Sequence, residues 1–212
     1  MNRYLIAALG FAIVAGCATR SPPPLLKDNE LSMPADYKSW PKFLVDIQRA
    51  DAKQIRDIYV NPVGAKATAA GGFPNGTVFV MENYAAKARA DGSLETGADG
   101  KLVKGNLLRV YLMGKEQGWG ASAPANLKNG DWIYAAYLAD GKIAPDPIAT
   151  CRACHLPLTT KDYVHRYDEY FQKRSAQSTR TERLADTLRK SDLRTGAVLK
   201  TGDEQVLALA HR

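Results

Sequence analysis

Pro74-Asn75-Gly76-Thr77-Val78-Phe79-Val80-Met81-Glu82-Asn83-Tyr84 reads as a turn running straight into a strand. Proline, asparagine and glycine each favour a tight reversal, by fixed φ, local side-chain hydrogen bonding and tolerance of positive φ. From Thr77 onward the β-branched and aromatic residues that suit a pleated surface dominate. Period-two alternation along this strand sets Phe79, Met81 and Asn83 on one face.

Similar blocks lie on either side. Ile55–Val60 is stopped by Asn61-Pro62, Leu107–Met113 alternates, and Asp131–Tyr137 runs between Asn129-Gly130 and Asp140-Gly141. Tyr163–Tyr167 is a fifth candidate strand. Helical patterns are fewer: Tyr37–Ile47, Val63–Ala70 and Tyr167–Arg174. Successive strands joined by short turns predict an antiparallel sheet with a few short helices, a mostly β member of the α+β class.

The folded domain is expected over residues 34–174. Ahead of it, Met1-Asn2-Arg3 precedes an uncharged run from Tyr4 to Gly16, and then Cys17. About a dozen apolar residues are too few for a bilayer span of ~20 and have the form of a secretory signal over residues 1–16. Val14-Ala15-Gly16-Cys17 resembles the bacterial lipobox, which implies cleavage before Cys17 and a diacylglycerol on its sulfur. A plain signal peptide is the alternative. The lipobox reading makes the protein a lipoprotein of the bacterial cell envelope, held at a membrane and facing the periplasm. Residues 17–33, which include Ser21-Pro22-Pro23-Pro24, read as a semi-rigid spacer. Residues 175–212 read as a polar tail, partly helical or disordered, with a short amphipathic helix over Thr181–Lys190.

The composition agrees with one ordinary domain plus extensions. At 212 residues and 45% hydrophobic, the chain can bury a core and is not disordered throughout. The net charge of +7 invites a nucleic-acid reading. Loss of residues 1–16 removes Arg3 alone, and the remaining charge is spread along the chain. It forms no basic block and is not interleaved with aromatics for base stacking, so nucleic acid is excluded as a partner. A mildly basic surface suits an anionic membrane or an acidic redox partner instead.

Three cysteines are too few for a disulfide-dense scaffold. Beyond Cys17, the other two form Cys151-Arg152-Ala153-Cys154-His155, the C-x-x-C-H signature of c-type haem attachment. Two thiols at this spacing can each add to one vinyl group of a porphyrin, and the following imidazole can ligate the iron. A thioredoxin-like pair would want a strand before and a helix after, yet Pro145-Asp146-Pro147 precedes and Leu156-Pro157 follows. A zinc knuckle would want further ligands, and only His165 and His211 remain. The expected cofactor is therefore one covalent haem c, with Cys151 and Cys154 as thioether donors and His155 as the iron ligand. Candidates for the sixth iron position are Met33, Met81, Met113, His165 and His211. An open position would bind small ligands instead.

Tyr37-Lys38-Ser39-Trp40, Ile55–Pro62, Asn75–Val80, Cys151–His155 and Arg166-Tyr167 fall in an order that resembles the cytochrome P-460 family, which includes the cytochromes c′-beta. The resemblance covers roughly residues 34–174. It implies a largely β, often dimeric protein with a five-coordinate c-type haem. One branch oxidises hydroxylamine and nitric oxide, and the c′-beta branch binds nitric oxide or carbon monoxide behind an aromatic cap. The oxidising branch carries a haem-linked lysine in Thr-Val-x-Val-Lys-Glu. Here that stretch is Thr77-Val78-Phe79-Val80-Met81-Glu82, and the Met81 thioether has no amine to bond to the macrocycle. The same branch has a distal carboxylate a few residues before the first haem cysteine, a place held here by Asp146, a candidate proton acceptor. Pro145-Asp146-Pro147 also reads simply as a turn.

Phe79 and Met81 are candidates for an apolar wall of the haem pocket or for ordinary core packing. Arg166 is a candidate partner for a haem propionate. Together these readings predict a mono-haem cytochrome that binds or oxidises a small nitrogen ligand such as nitric oxide or hydroxylamine, exchanging electrons with a periplasmic redox partner. The alternatives are a six-coordinate electron carrier and a nitric oxide sink or sensor without turnover.

Overall fold

The computed structural model describes residues 24–195. The expected signal, Cys17, the proline run up to Pro23, His211 and the tail from residue 196 lie outside the described residues. Five strands form one antiparallel sheet in simple order: β1 (Lys42–Arg49), β2 (Gln54–Val60), β3 (Thr77–Ala86), β4 (Lys104–Lys115) and β5 (Trp132–Leu138). Two helices follow, α1 (Ile148–His155) and α2 (Tyr167–Thr195). The mostly β, α+β architecture is thus the one the strand patterns predict.

Three local expectations are corrected. Tyr37–Ile47 is a single 3-10 turn, Tyr37–Ser39, followed by β1. Pro41 bars a helix here, because it lacks a donor and pushes Trp40 out of the α region. Val63–Ala70 contains only the 3-10 turn Gly64–Lys66. A Cβ on Gly64 would sit 2.6 Å from the side chains of Val60 and Thr77, so the turn packs too tightly for any larger residue. Tyr163–Tyr167 is no strand, since Tyr163 (φ 58°) and Arg166 (φ 57°) both turn the chain through left-handed conformations. The tail is also more regular than expected: α2 continues unbroken through residues 175–195.

Alternation gives the sheet two apolar faces, each covered. On one face Phe43, Phe73, Phe79, Trp132, Tyr170 and Phe171 pack with the start of α2. Phe43 stacks on Tyr170 with ring centroids 4.2 Å apart and meets Phe79 edge-on at 4.9 Å. Such pairs add about 0.5–1.5 kcal/mol each beyond area burial. On the other face Tyr59, Val80, Val110, Leu112, Ile133 and Tyr137 are covered by Leu31, Tyr37 and Trp119. Residues 24–33, expected as spacer, therefore belong in part to the fold. Leu31 is buried, the Asn29 N–H donates to the Tyr134 carbonyl at 2.8 Å, and Trp119 Nε1 donates to the Pro24 carbonyl at 2.8 Å.

Candidate functional site

Register pairing turns the first face into three cross-strand rows. Val60, Phe79, Met113 and Tyr134 form one; Ile58, Met81, Tyr111 and Ala136 the next; Arg56, Asn83, Arg109 and Leu138 the third. Polarity thus rises from an aromatic end to a cationic end. Helix α1 and the turns after it stand over this face and leave a cleft of about 420 Å³. Its lining includes Phe79, Met81, Cys151, Cys154, His155 and Arg166, so these sequence candidates converge on one site. Asp146 is not among the lining residues and instead accepts from Arg109 Nε at 3.0 Å. Of the remaining sixth-ligand candidates, Met113 and His165 line the cleft, whereas Met33 packs against the core of the opposite face.

Helix α1 presents both free thiols and the imidazole from one short element. Cys151 is half-buried and Cys154 exposed. Burial, with the charges of Asp146 and Asp28, pushes the Cys151 thiol pKa up. The helix is held from behind by Arg152, which is 1% exposed. Its guanidinium grips Asp28 with two bonds, Nε to Oδ2 at 2.7 Å and Nη2 to Oδ1 at 2.8 Å, and also donates to the Trp132 carbonyl at 3.2 Å. Asn129, fully buried, donates to the Arg152 carbonyl at 3.2 Å.

The chain after α1 folds back to orient His155. A 3-10 segment, Leu156–Lys161, ends at Asp162 and Tyr163, both with positive φ. Asp162 ties this corner to the sheet, accepting from Lys115 Nζ at 2.9 Å, the Phe73 N–H at 2.9 Å and Trp132 Nε1 at 3.2 Å. The corner brings the Tyr163 carbonyl to 2.6 Å from His155 Nδ1, which donates to it. That bond fixes the proton on Nδ1 and leaves the Nε2 lone pair for a metal. Burial lowers the His155 pKa to about 4, so the ring is neutral, the form that ligates. His165 lies beside His155, not across from it: their ring centroids are 4.7 Å apart.

The donors fit a c-type haem. Two thiols three residues apart, a neutral and oriented imidazole, and a cleft walled by Phe79, Met81, Ile58 and Met113 suit a flat apolar group. Sequence reasoning did not single out Arg49, Arg56, Tyr111 or Tyr134, which also line the cleft. Only the pairing of strands in register shows that Tyr111 and Arg56 share the face of Met81.

A sheet-borne cleft served by a Cys-x-x-Cys-His helix defines a c-type cytochrome architecture. Residues 34–166 match the family model described as Cytochrome P460, and the chain belongs to that family, whose members are c-type haem proteins. None of the curated proteins matches the chain.

Proposed function

We propose that this protein is a lipid-anchored, periplasm-facing mono-haem cytochrome whose distal site is open to a small nitrogen ligand, nitric oxide or hydroxylamine. The observation that carries the reading is the cleft itself, with one imidazole oriented by the Tyr163 carbonyl and a sheet wall of Ile58, Met81, Tyr111 and Ala136. Cys151 and Cys154 would each add S–H across a vinyl group, forming a thioether carbon–sulfur bond and placing the hydrogen on the neighbouring carbon. His155 would ligate iron through Nε2. When bound, the haem supplies iron that cycles between ferric and ferrous states, and the protein sets its axial ligation and pocket polarity. Tyr111 carries the one hydroxyl in the middle row of the wall, a donor for a bound N–O group. Met81, in the place of the family lysine, leaves no amine for a macrocycle cross-link, so hydroxylamine turnover is expected to be weak or absent.

The absorption spectrum of the reduced protein tests the reading. Carbon monoxide is expected to shift the Soret band. An unmoved band would mean a closed sixth position, favouring the alternative electron carrier, for which Met81 and Met113 are thioether candidates in the cleft lining.

A further inference from the structure

Four buried side-chain polar atoms lack a hydrogen-bond partner among the described residues: Asn29 Oδ1, Arg56 Nε, Asn83 Oδ1 and the Tyr134 hydroxyl. Three of these four residues line the cleft. Tyr134 stands in the aromatic row, whereas Arg56 and Asn83 adjoin in the cationic row. Burying a polar atom unpaired costs stability, so this adjoining pair points to something that pairs it.

Arg56 and Asn83 are direct register partners on β2 and β3, which places their Cβ atoms about 5 Å apart on the same face. Asn83 is 4% exposed. Its amide makes no hydrogen bond among the described residues, and rotation about χ2 offers either its oxygen or its NH2 to the cleft. The other cations nearby are committed: Arg49 to Asp51 at 2.7 Å, Arg109 to Asp146 at 3.0 Å and Arg166 to Glu169 at 2.7 Å. Arg56 alone among them has no carboxylate partner among the described residues, only the neutral Gln54 amide oxygen at 3.2 Å. Burial and the charge of Arg49 both disfavour its cationic form, the condition of a guanidinium awaiting an anion.

We propose that Arg56 and Asn83 form an oxyanion seat in the cleft wall, where the guanidinium and the side-chain amide together hold a planar two-oxygen anion. Two sources supply that chemistry: free nitrite, or a propionate carboxylate of the haem. A guanidinium edge matches two oxygens in one plane, which a lysine ammonium does not. The inference rests on the haem reading only for its second source. Arg166, the propionate candidate in the sequence, already has Glu169.

The test uses the purified full-length protein, wild type and the variants Arg56→Gln, Arg56→Lys and Asn83→Ala. Nitrite binding is measured by calorimetry, and the propionate bending band by resonance Raman spectroscopy. If nitrite occupies the seat, its dissociation constant rises about tenfold in Arg56→Gln, the loss of one charge-assisted contact, while the propionate band stays in place. If the haem carboxylate occupies it, the band moves and nitrite affinity does not. Either result supports the seat. Unchanged nitrite binding and an unmoved band in all variants that melt like wild type overturn it, and Asn83→Ala keeps the test alive should Arg56→Gln fail to fold. Haem content, read separately from the pyridine haemochrome spectrum, reports on the haem reading alone: protein without haem would fail that reading and still leave nitrite at the seat to be read by calorimetry.

Discussion

Arg152 sits between the two cysteines, where the motif shows only an x, yet with Glu82 it is one of the two most deeply buried charged side chains among the described residues. The partner of Arg152, Asp28, lies 124 residues away, in a segment that reads as a spacer, so no local pattern announces the pair. Breaking a buried ion pair from one side leaves an uncompensated charge and costs ~3–5 kcal/mol. Asp28→Ala is expected near the low end, about 3 kcal/mol, because Asp28 keeps 26% of its side chain in water. Urea unfolding measures this, and haem content is expected to fall with it, since Arg152 seats the helix that bears both thiols. On the opposite face, Glu82 is 1% exposed and accepts from three phenols, Tyr37 at 2.8 Å, Tyr84 at 2.8 Å and Tyr59 at 3.2 Å. Burial, reinforced by the Glu82 charge, pushes the Tyr59 pKa up to about 12 and raises those of Tyr37 and Tyr84 as well. Below pH ~10 both folded and unfolded chains hold these protons; above it the unfolded chain releases them first. Stability from this cluster is therefore intact at neutral pH and is lost as pH rises from ~10 through 12. Tyrosinate absorbance checks it: the native chain should ionise these phenols late. In Glu82→Gln they should ionise earlier while still above the free value, because burial remains.

The strands show why some elements are legible and others are not. β3 announces itself through an unbroken period of two after a turn signal. β1 does not, because Phe43, Leu44 and Ile47 have the spacing of a helix face. That spacing comes from two irregularities in the strand: register shifts between Lys42 and Leu44 and again between Leu44 and Ile47, where Asp46 takes φ 54° and its N–H donates to Asp57 Oδ1 at 2.9 Å. Each extra residue slips the alternation, and the sequence pattern of a bulged strand mimics a helix. The site residues divide the same way. Cys151, Cys154 and His155 are close in sequence and readable as a unit, whereas Arg56, Asn83 and Tyr111 meet only through register. Helix α2 divides into a buried first turn and a solvated remainder. Tyr167, Tyr170 and Phe171 are buried, while residues 176–191 are exposed apart from the half-buried Ala185. Deleting residues 176–212 is expected to leave the urea midpoint and the carbon monoxide spectrum unchanged. Phe171→Ala, by contrast, should cost about 3–5 kcal/mol as a large-to-small core change. A large loss on truncation would show that the outer helix bears load in the fold.

At the scale of the whole molecule, residues 24–33 form a strap over the second face of the sheet, and the proposed anchor would pull on it. Among the described residues no helix is long and apolar enough to cross a membrane. In the proposed reading, a lipid on Cys17 makes the attachment. Pro24 is hydrogen-bonded through its carbonyl to Trp119, and Cys17 lies seven positions before it. Seven extended residues reach at most ~25 Å, so an acylated Cys17 would hold the domain against the headgroups. The strap continues through Asp28 to Arg152, so a lipid on Cys17 would be coupled through it to the helix that bears the thiols. Two consequences separate the anchor from the fold. Cys17→Ser should move the protein from the membrane pellet to the soluble fraction while leaving its thermal midpoint and carbon monoxide response as in wild type, because the strap stays docked. Deleting residues 24–33 from that soluble variant should lower the midpoint, because it strips the cover from Val110 and Ile133 and orphans Arg152. Membrane association that survives Cys17→Ser would sink the lipid anchor, and an unchanged midpoint after the deletion would sink the strap.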